Sequence, residues 1–253
     1  MSGGKFDPMH QFQIHTLVEL PTVAGVNLSI TNSVFYMIVA AVLMSAFLVL
    51  ATRRAALVPG RWQSAAEMMV EGIEGLATGI MGEDGKRFFP FLFALFGFIL
   101  ACNYLGMFPY FFTATSQLAV TATLAVIAFS VVLIVGFKAH GLKFFQKFVP
   151  SGAPLAIMPL LIPIELISFL MRPFTLALRL FGNMMGGHIV LKVFAQFIIM
   201  LVAVGGLGYL GAGVALTGAV AITALEMLVS FLQAFVFTIL TCIYLNDVLH
   251  IHH

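Results

Sequence analysis

Between Leu170 and Lys192 the chain reads LMRPFTLALRLFGNMMGGHIVLK, an apolar stretch that still carries Arg172, Arg179, His188 and Lys192, with Glu165 just upstream. An arginine at the centre of a bilayer costs about 2.5–3.5 kcal/mol on insertion scales. A chain that keeps such groups at depth has a use for them. At about 100° per residue, Glu165, Ser168, Arg172, Thr175, Arg179 and Asn183 fall on one helical stripe, with His188 and Lys192 roughly opposite. A polar stripe on an apolar helix must face a partner helix, a water-filled cavity, or both. Glu165 and Arg172, about two turns apart on that stripe, are expected to satisfy each other as an ion pair.

A second stripe follows in Thr223, Glu226, Ser230, Gln233, Thr241 and Tyr244. Glu226 is the only acid between Glu165 and Asp247, and a lone buried carboxylate needs either a proton or a partner. His188 is the natural candidate. Two readings of the pair stand at this point: a proton relay across apolar surroundings, or a structural hydrogen bond holding two helices together.

Other chemistries find no support. His10 and His15 are too far apart and too isolated for a metal site, and Cys102 and Cys242 sit in apolar runs as small buried hydrophobes. Gly206, Gly208 and Gly211 spell GxGxxG, with Glu226 at the distance of the acid in a dinucleotide fingerprint. That fingerprint requires a preceding strand and a βαβ unit; here long apolar segments flank it, so close helix packing explains the glycines better. No GxxxxGK[ST] occurs, so this chain is not expected to hydrolyse ATP itself. No cofactor and no metal are expected.

The elements that must position these residues follow from composition. The chain is 61% hydrophobic and 9% charged with mean hydropathy +1.09, far from the roughly 25% charged residues of soluble domains. The fold expected is all-α, a polytopic integral membrane protein forming one domain over 1–253. A net charge of +2 is too small to imply a nucleic-acid partner. Residues 1–31 lack a basic start, an apolar core and a small-residue cleavage site, so they read as a segment outside the membrane and not as a signal peptide.

Five passages are expected. The first is 32–52, long enough for a hydrocarbon core of about 30 Å. Arg53, Arg54 and Arg61 follow it, whereas Lys5 is the only basic residue before it, which places the N-terminus outside and the next segment in the cytoplasm. Over 61–81, Trp62, Ala65, Met69, Ile73, Leu76 and Ile80 alternate at helical spacing with Gln63, Glu67, Glu71, Glu74 and Thr78. This predicts an amphipathic surface helix whose acidic face favours a partner over anionic lipid. GEDGKR breaks it. Passages at 88–108, containing Asn103, and 117–137 are joined by a short uncharged turn, and Lys138, His140, Lys143 and Lys147 mark a cytoplasmic exit.

The remaining two runs are too long to stand upright. Residues 154–204 show no clear loop and would extend ~75 Å as one helix, with Pro159, Pro163 and Pro173 bending or starting it. After a Gly-rich turn, 214–248 is a second long run. Together they predict a strongly tilted hairpin with both ends in the cytoplasm.

LALRLFGNMMGGH, with PIELIS upstream and FLQAFVFTILTCIYL downstream, closely resembles the signature of subunit a of F-type ATP synthases, over most of the chain. The resemblance implies a stationary proton-translocating subunit in a bacterial inner membrane, performing no covalent chemistry. Arg179 matches the family's essential arginine, Asn183 its neighbouring asparagine and Gln233 the glutamine beside it. His188 and Glu226 stand where some bacterial members carry the acid and the histidine in opposite order, an arrangement similar to alphaproteobacterial and mitochondrial members. Implied partners are a ring of proteolipid c subunits, the peripheral-stalk b subunit, the rest of the synthase, lipid and protons. Two offset half-channels are implied on either side of Arg179. Protons are favoured over sodium because the candidate relay uses His188. His250, His252 and His253 match no motif of the family and are expected to form a solvated tail.

Overall fold

The computed structural model describes residues 13–19, 29–53, 56, 58–108, 111–141, 144–145 and 157–250. Expectations for Lys5, His10, Arg54, Lys143, Lys147, His252, His253 and the start of the 154–204 run lie outside these residues. The described residues include six α-helices: α1 (Asn32–Thr52), α2 (Arg61–Met81), α3 (Asp84–Met107), α4 (Leu118–His140), α5 (Met158–Val204) and α6 (Gly208–Leu249). Among the described residues, all but α2 are long and apolar enough to cross a membrane. The protein is an all-α polytopic membrane protein.

Among the described residues the only strands form a small antiparallel pair, β1 (Thr16–Val18) with β2 (Ile30–Thr31), in which Thr16 faces Thr31. Asn32 ties it to α1: its backbone N–H donates to the His15 carbonyl at 3.0 Å, and its side-chain amide donates to the Gln13 carbonyl at 3.1 Å. Thr31 caps α1 by accepting from the Val34 N–H at 3.4 Å.

The α2 helix is rotated from the face that periodicity suggested. Gln63, Ala66, Ile73, Ala77 and Met81 turn inward, while Trp62 is exposed beside Phe47. Gln63 can be buried because its amide is satisfied locally, accepting from the Ala56 N–H at 3.1 Å and donating to the Ala56 carbonyl at 3.1 Å and Glu67 Oε1 at 2.8 Å. Alanines at 66 and 77 allow close approach where larger side chains would not. The break after α2 is confined to Gly82 and Glu83, so Lys86 and Arg87 already belong to α3.

The two long runs are single helices. At 47 residues, α5 spans roughly 70 Å, more than twice a bilayer core of about 30 Å, and it stays helical through Pro163 and Pro173. The chain reverses through Gly205 and Gly206, both at positive φ, and α6 starts at Gly208 rather than Val214. Gly208 and Gly211 are therefore helical, and what precedes them is α5 instead of a strand, which removes the dinucleotide reading.

α3 is the innermost span, and Leu92, Phe96 and Ile99 pack with Val132 of α4, Leu180 of α5 and Phe237 of α6 in one apolar core. At its far end the core turns polar. Asn103, fully buried, donates from Nδ2 to the Ser230 carbonyl at 3.1 Å and accepts at Oδ1 from the Thr115 hydroxyl at 2.8 Å. One side chain thus links α3, the 3-10 turn Ala114–Ser116 and α6. Asn103→Ala leaves the Thr115 hydroxyl and the Ser230 carbonyl without this partner in a dry site, a loss of about 1–3 kcal/mol. A lowered thermal midpoint in mild detergent checks it, and an unchanged midpoint would show that the three elements are held without Asn103.

Candidate functional site

The inward face of α5 is the apolar stripe Phe169, Leu176, Ala177, Leu180 and Met184. One turn beyond Met184 on that face comes His188. The polar stripe read from the sequence lies on another side: Ser168, Thr175, Arg179 and Asn183 are exposed, and Glu165 and Arg172 half-buried. Ser168, Thr175 and Arg179 on it are open to the surroundings, whereas Arg172 and Asn183 reach α6. α6 turns Glu226, Ser230, Gln233, Thr238 and Thr241 inward, whereas Thr223 is exposed.

Polar contacts join the antiparallel arms at several levels. Nearest the open end, Arg172 Nη1 donates to Asp247 Oδ2 at 2.7 Å, its guanidinium 4.8 Å from the Tyr244 ring centroid and 5.2 Å from that of Phe169. The expected pair of Arg172 with Glu165 is therefore incorrect. Asp247 comes from the neighbouring arm, between two aromatic rings that also favour a planar cation, and Glu165 makes no ion pair among the described residues. Farther along, Asn183 Nδ2 donates to Gln233 Oε1 at 2.8 Å.

A further contact brings together the pair singled out above. His188 Nδ1 stands 3.6 Å from Glu226 Oε1, within ionic range but longer than a hydrogen bond. Glu226 is 3% exposed, and neither of its carboxylate oxygens has a hydrogen-bond donor among the described residues. A carboxyl so placed must hold a proton or gain a cation beside it. Gly187 makes the approach possible, because a Cβ there would lie 2.7 Å from Glu226 Oε1.

Arg179 is different from all of these. It lies near the midpoint of α5, is exposed, and has no hydrogen bond or ion pair among the described residues. Arginine is permanently protonated, so this is a fixed positive charge on the flank of a membrane-spanning helix.

Sequence reasoning missed two features. A cavity of about 590 Å³ reaches from Gln13, His15 and Asn32 at one end of the bundle to Thr113 and His188, past Tyr36 and Phe112. The Thr113 hydroxyl lies 3.0 Å from His188 Nε2. The signal was the run TATSQ, several hydroxyls in an otherwise apolar sequence; it reads as an ordinary turn, yet Thr113, Thr115 and Ser116 are all buried. His250 is also less free than a solvated tail, with Nδ1 3.0 Å from Asn246 Oδ1 and Nε2 3.9 Å from Asp84 Oδ2.

Known proteins share this sequence over its length. The family model described as ATP synthase A chain matches residues 34–246. The chain is 50% identical over 253 residues to an ATP synthase subunit a of Mesorhizobium japonicum, covering 100% of both chains. It is 52% identical over 247 residues to the subunit of that name from Nitrobacter hamburgensis, covering 98% of this chain and 99% of the relative. A Brucella anthropi protein named ATP synthase subunit a 1 is 50% identical over 247 residues, with the same coverage. With a family match from the first span to the end of the second arm, and half of all residues shared with whole-length relatives, the chain belongs to the ATP synthase subunit a family.

Proposed function

We propose that this chain is the stationary proton-translocating part of an ATP synthase membrane sector. The single observation that carries the reading is Arg179, a fixed charge near the middle of a long membrane helix, exposed and without an ionic partner among the described residues. A cation at that depth needs an anion from another chain. A rotor ring whose small subunits each carry a membrane-embedded carboxylate supplies one at every step of rotation.

Protons reach the ring from the outer side through the cavity lined by His15, Tyr36 and Thr113, passing His188 and Glu226. A protonated ring carboxylate is neutral and can turn through lipid. On its return it meets Arg179, whose charge favours the ionised carboxylate and releases the proton into a second half-channel on the opposite side. The same charge prevents direct passage between half-channels. The membrane potential, worth about 2.3 kcal/mol per charge per 100 mV, drives the cycle. This chain makes and breaks no covalent bond of ATP. Asn183 and Gln233 brace the arms beside Arg179, and the exposed α1 and α2 surfaces receive the peripheral-stalk b subunit.

Orientation is tested by labelling. In a background lacking Cys102 and Cys242, Gln13→Cys should react with an impermeant maleimide only from outside, and Glu83→Cys only from the cytoplasm. Labelling of both from one side would reverse or remove the half-channel assignment.

The pairing of His188 with Glu226 is tested by exchange. Either residue replaced alone by a non-titrating side chain should lower proton flux at least tenfold. His188→Glu combined with Glu226→His should recover part of it. A double exchange no better than the product of the two losses would make them independent structural groups.

Arg179→Gln decides the central claim. Assembly should be nearly normal, because an uncharged side chain is easier to bury than arginine. ATP synthesis and ATP-driven pumping should vanish, while passive proton conduction in vesicles stripped of the soluble sector persists. Appreciable coupled synthesis by fully assembled complex would refute the role given to Arg179.

A further inference from the structure

The His188 side chain has two faces, and the residue on the cavity side is a hydroxyl. Thr113 Oγ1 lies 3.0 Å from His188 Nε2 and 3.1 Å from the carbonyl of Gly106, to which it donates. Gly106 belongs to the last turn of α3, where carbonyls have no intrahelical donor, so this bond satisfies an acceptor that would otherwise stand open. The hydroxyl is held closely. A Cβ at Gly106 would lie 2.5 Å from Thr113 Cγ2 and 2.7 Å from its Oγ1, which only glycine avoids. Thr113 itself is buried at 4% exposure, and both it and His188 line the inner end of the cavity.

We propose that Thr113 is a positioning residue that sets the tautomer of His188 and completes the side-chain path from the cavity to His188, whose other nitrogen faces Glu226. The inference rests on the proton-pathway reading above. A hydroxyl has one proton and can accept as well as donate. While that proton goes to the Gly106 carbonyl, Oγ1 accepts from His188, so the ring carries its proton on Nε2 and turns an unprotonated Nδ1 toward Glu226 Oε1. If the hydroxyl rotates to donate to Nε2, the ring must hold its proton on Nδ1, aimed at the carboxylate. The two states differ by the rotation of one hydroxyl together with a change of ring tautomer, and each face of His188 is defined in both.

Proton transfer inward uses both states in turn, and the atoms balance. In the second state, Thr113 passes its proton to Nε2 as Oγ1 takes one from cavity water, while the Nδ1 proton leaves for Glu226. The net change is one proton from water to the carboxyl, with the ring neutral and protonated on Nε2. Once the proton is handed onward from Glu226 and Thr113 has rotated back to the Gly106 carbonyl, the site stands in the first state; a tautomer exchange of the neutral ring must return its proton from Nε2 to Nδ1 before the next transfer. Without a hydroxyl at 113, Nε2 loses the one group held beside it that can both accept from it and donate to it on the cavity side.

The test uses the whole complex in membrane vesicles stripped of the soluble sector, with passive proton conduction driven by a potassium diffusion potential and normalised to the amount of this chain present. Thr113→Val keeps the shape and removes the hydroxyl; Thr113→Ala removes it without adding bulk, should the valine variant not assemble. Both should conduct at least tenfold less than wild type, and Thr113→Ser should restore half or more. Conduction by either hydroxyl-free variant within twofold of wild type would overturn the proposal, as would a serine variant no better than valine, which would make Thr113 a matter of packing. Wild-type vesicles that conduct no protons would instead overturn the pathway reading, and this step with it.

Discussion

Everything in this structure answers to the cost of leaving a polar group without a partner where water is absent. Each unsatisfied donor or acceptor in hydrocarbon costs several kcal/mol, which is why the spanning elements are helices and why side-chain hydroxyls fold back. Thr238 donates to the Ala234 carbonyl at 2.9 Å and Thr241 to that of Phe237 at 2.8 Å. Side chains that cannot satisfy themselves locally reach across: Asn103 to the Ser230 carbonyl, Asn183 to Gln233, Arg172 to Asp247. The first fixes the register of α3 against α6 and the other two that of α5 against α6 more tightly than apolar packing could, because leucine slides past leucine at little cost and a misplaced asparagine does not.

The 3-10 turn between α3 and α4 is part of the same economy of partners. It enters the bundle instead of running over its surface, and can do so because Thr115 finds Asn103, Ser116 donates to the Thr113 carbonyl at 2.6 Å, and Thr113 finds Gly106. The consequence is a connection that walls the cavity beside His188. A loop at the surface would have left the His188–Glu226 pair facing lipid or an open cleft. The fold's solution to a backbone problem thus shapes the route to its buried titratable pair.

Much of this was legible in the sequence, for a physical reason. Apolar runs bounded by basic residues report span positions directly, and the lengths of the last two runs exclude upright helices. The pairing of His188 with Glu226 was legible because each lacked any nearer candidate. The partner of Arg172 was not. Spacing along one helix sees Glu165 two turns away and cannot see Asp247, which becomes adjacent only when α6 folds back. The inward face of α2 was misjudged for a similar reason, since a buried Gln63 depends on the Ala56 backbone across a loop. Thr113 was overlooked because hydroxyls in a turn are commonplace; its meaning comes from His188, far along the chain.

The arrangement of these groups constrains what the chain can do alone. Arg179 and the His188–Glu226 pair lie on different faces of α5, and along the inward face between their levels stand Leu180 and Met184, 0% and 1% exposed. Neither offers a group that takes up and releases a proton. Along that face of α5, a proton arriving at Glu226 therefore meets no titratable side chain between it and the level of Arg179. In the reading proposed here, a moving carboxylate on a neighbouring subunit is that missing step. In that reading, a polar bridge in place of Leu180 and Met184 would let protons leak past the rotor, and apolar side chains there oppose such a leak. The apolar residues on the inward face are then as much a part of the mechanism as the charges on either side of them.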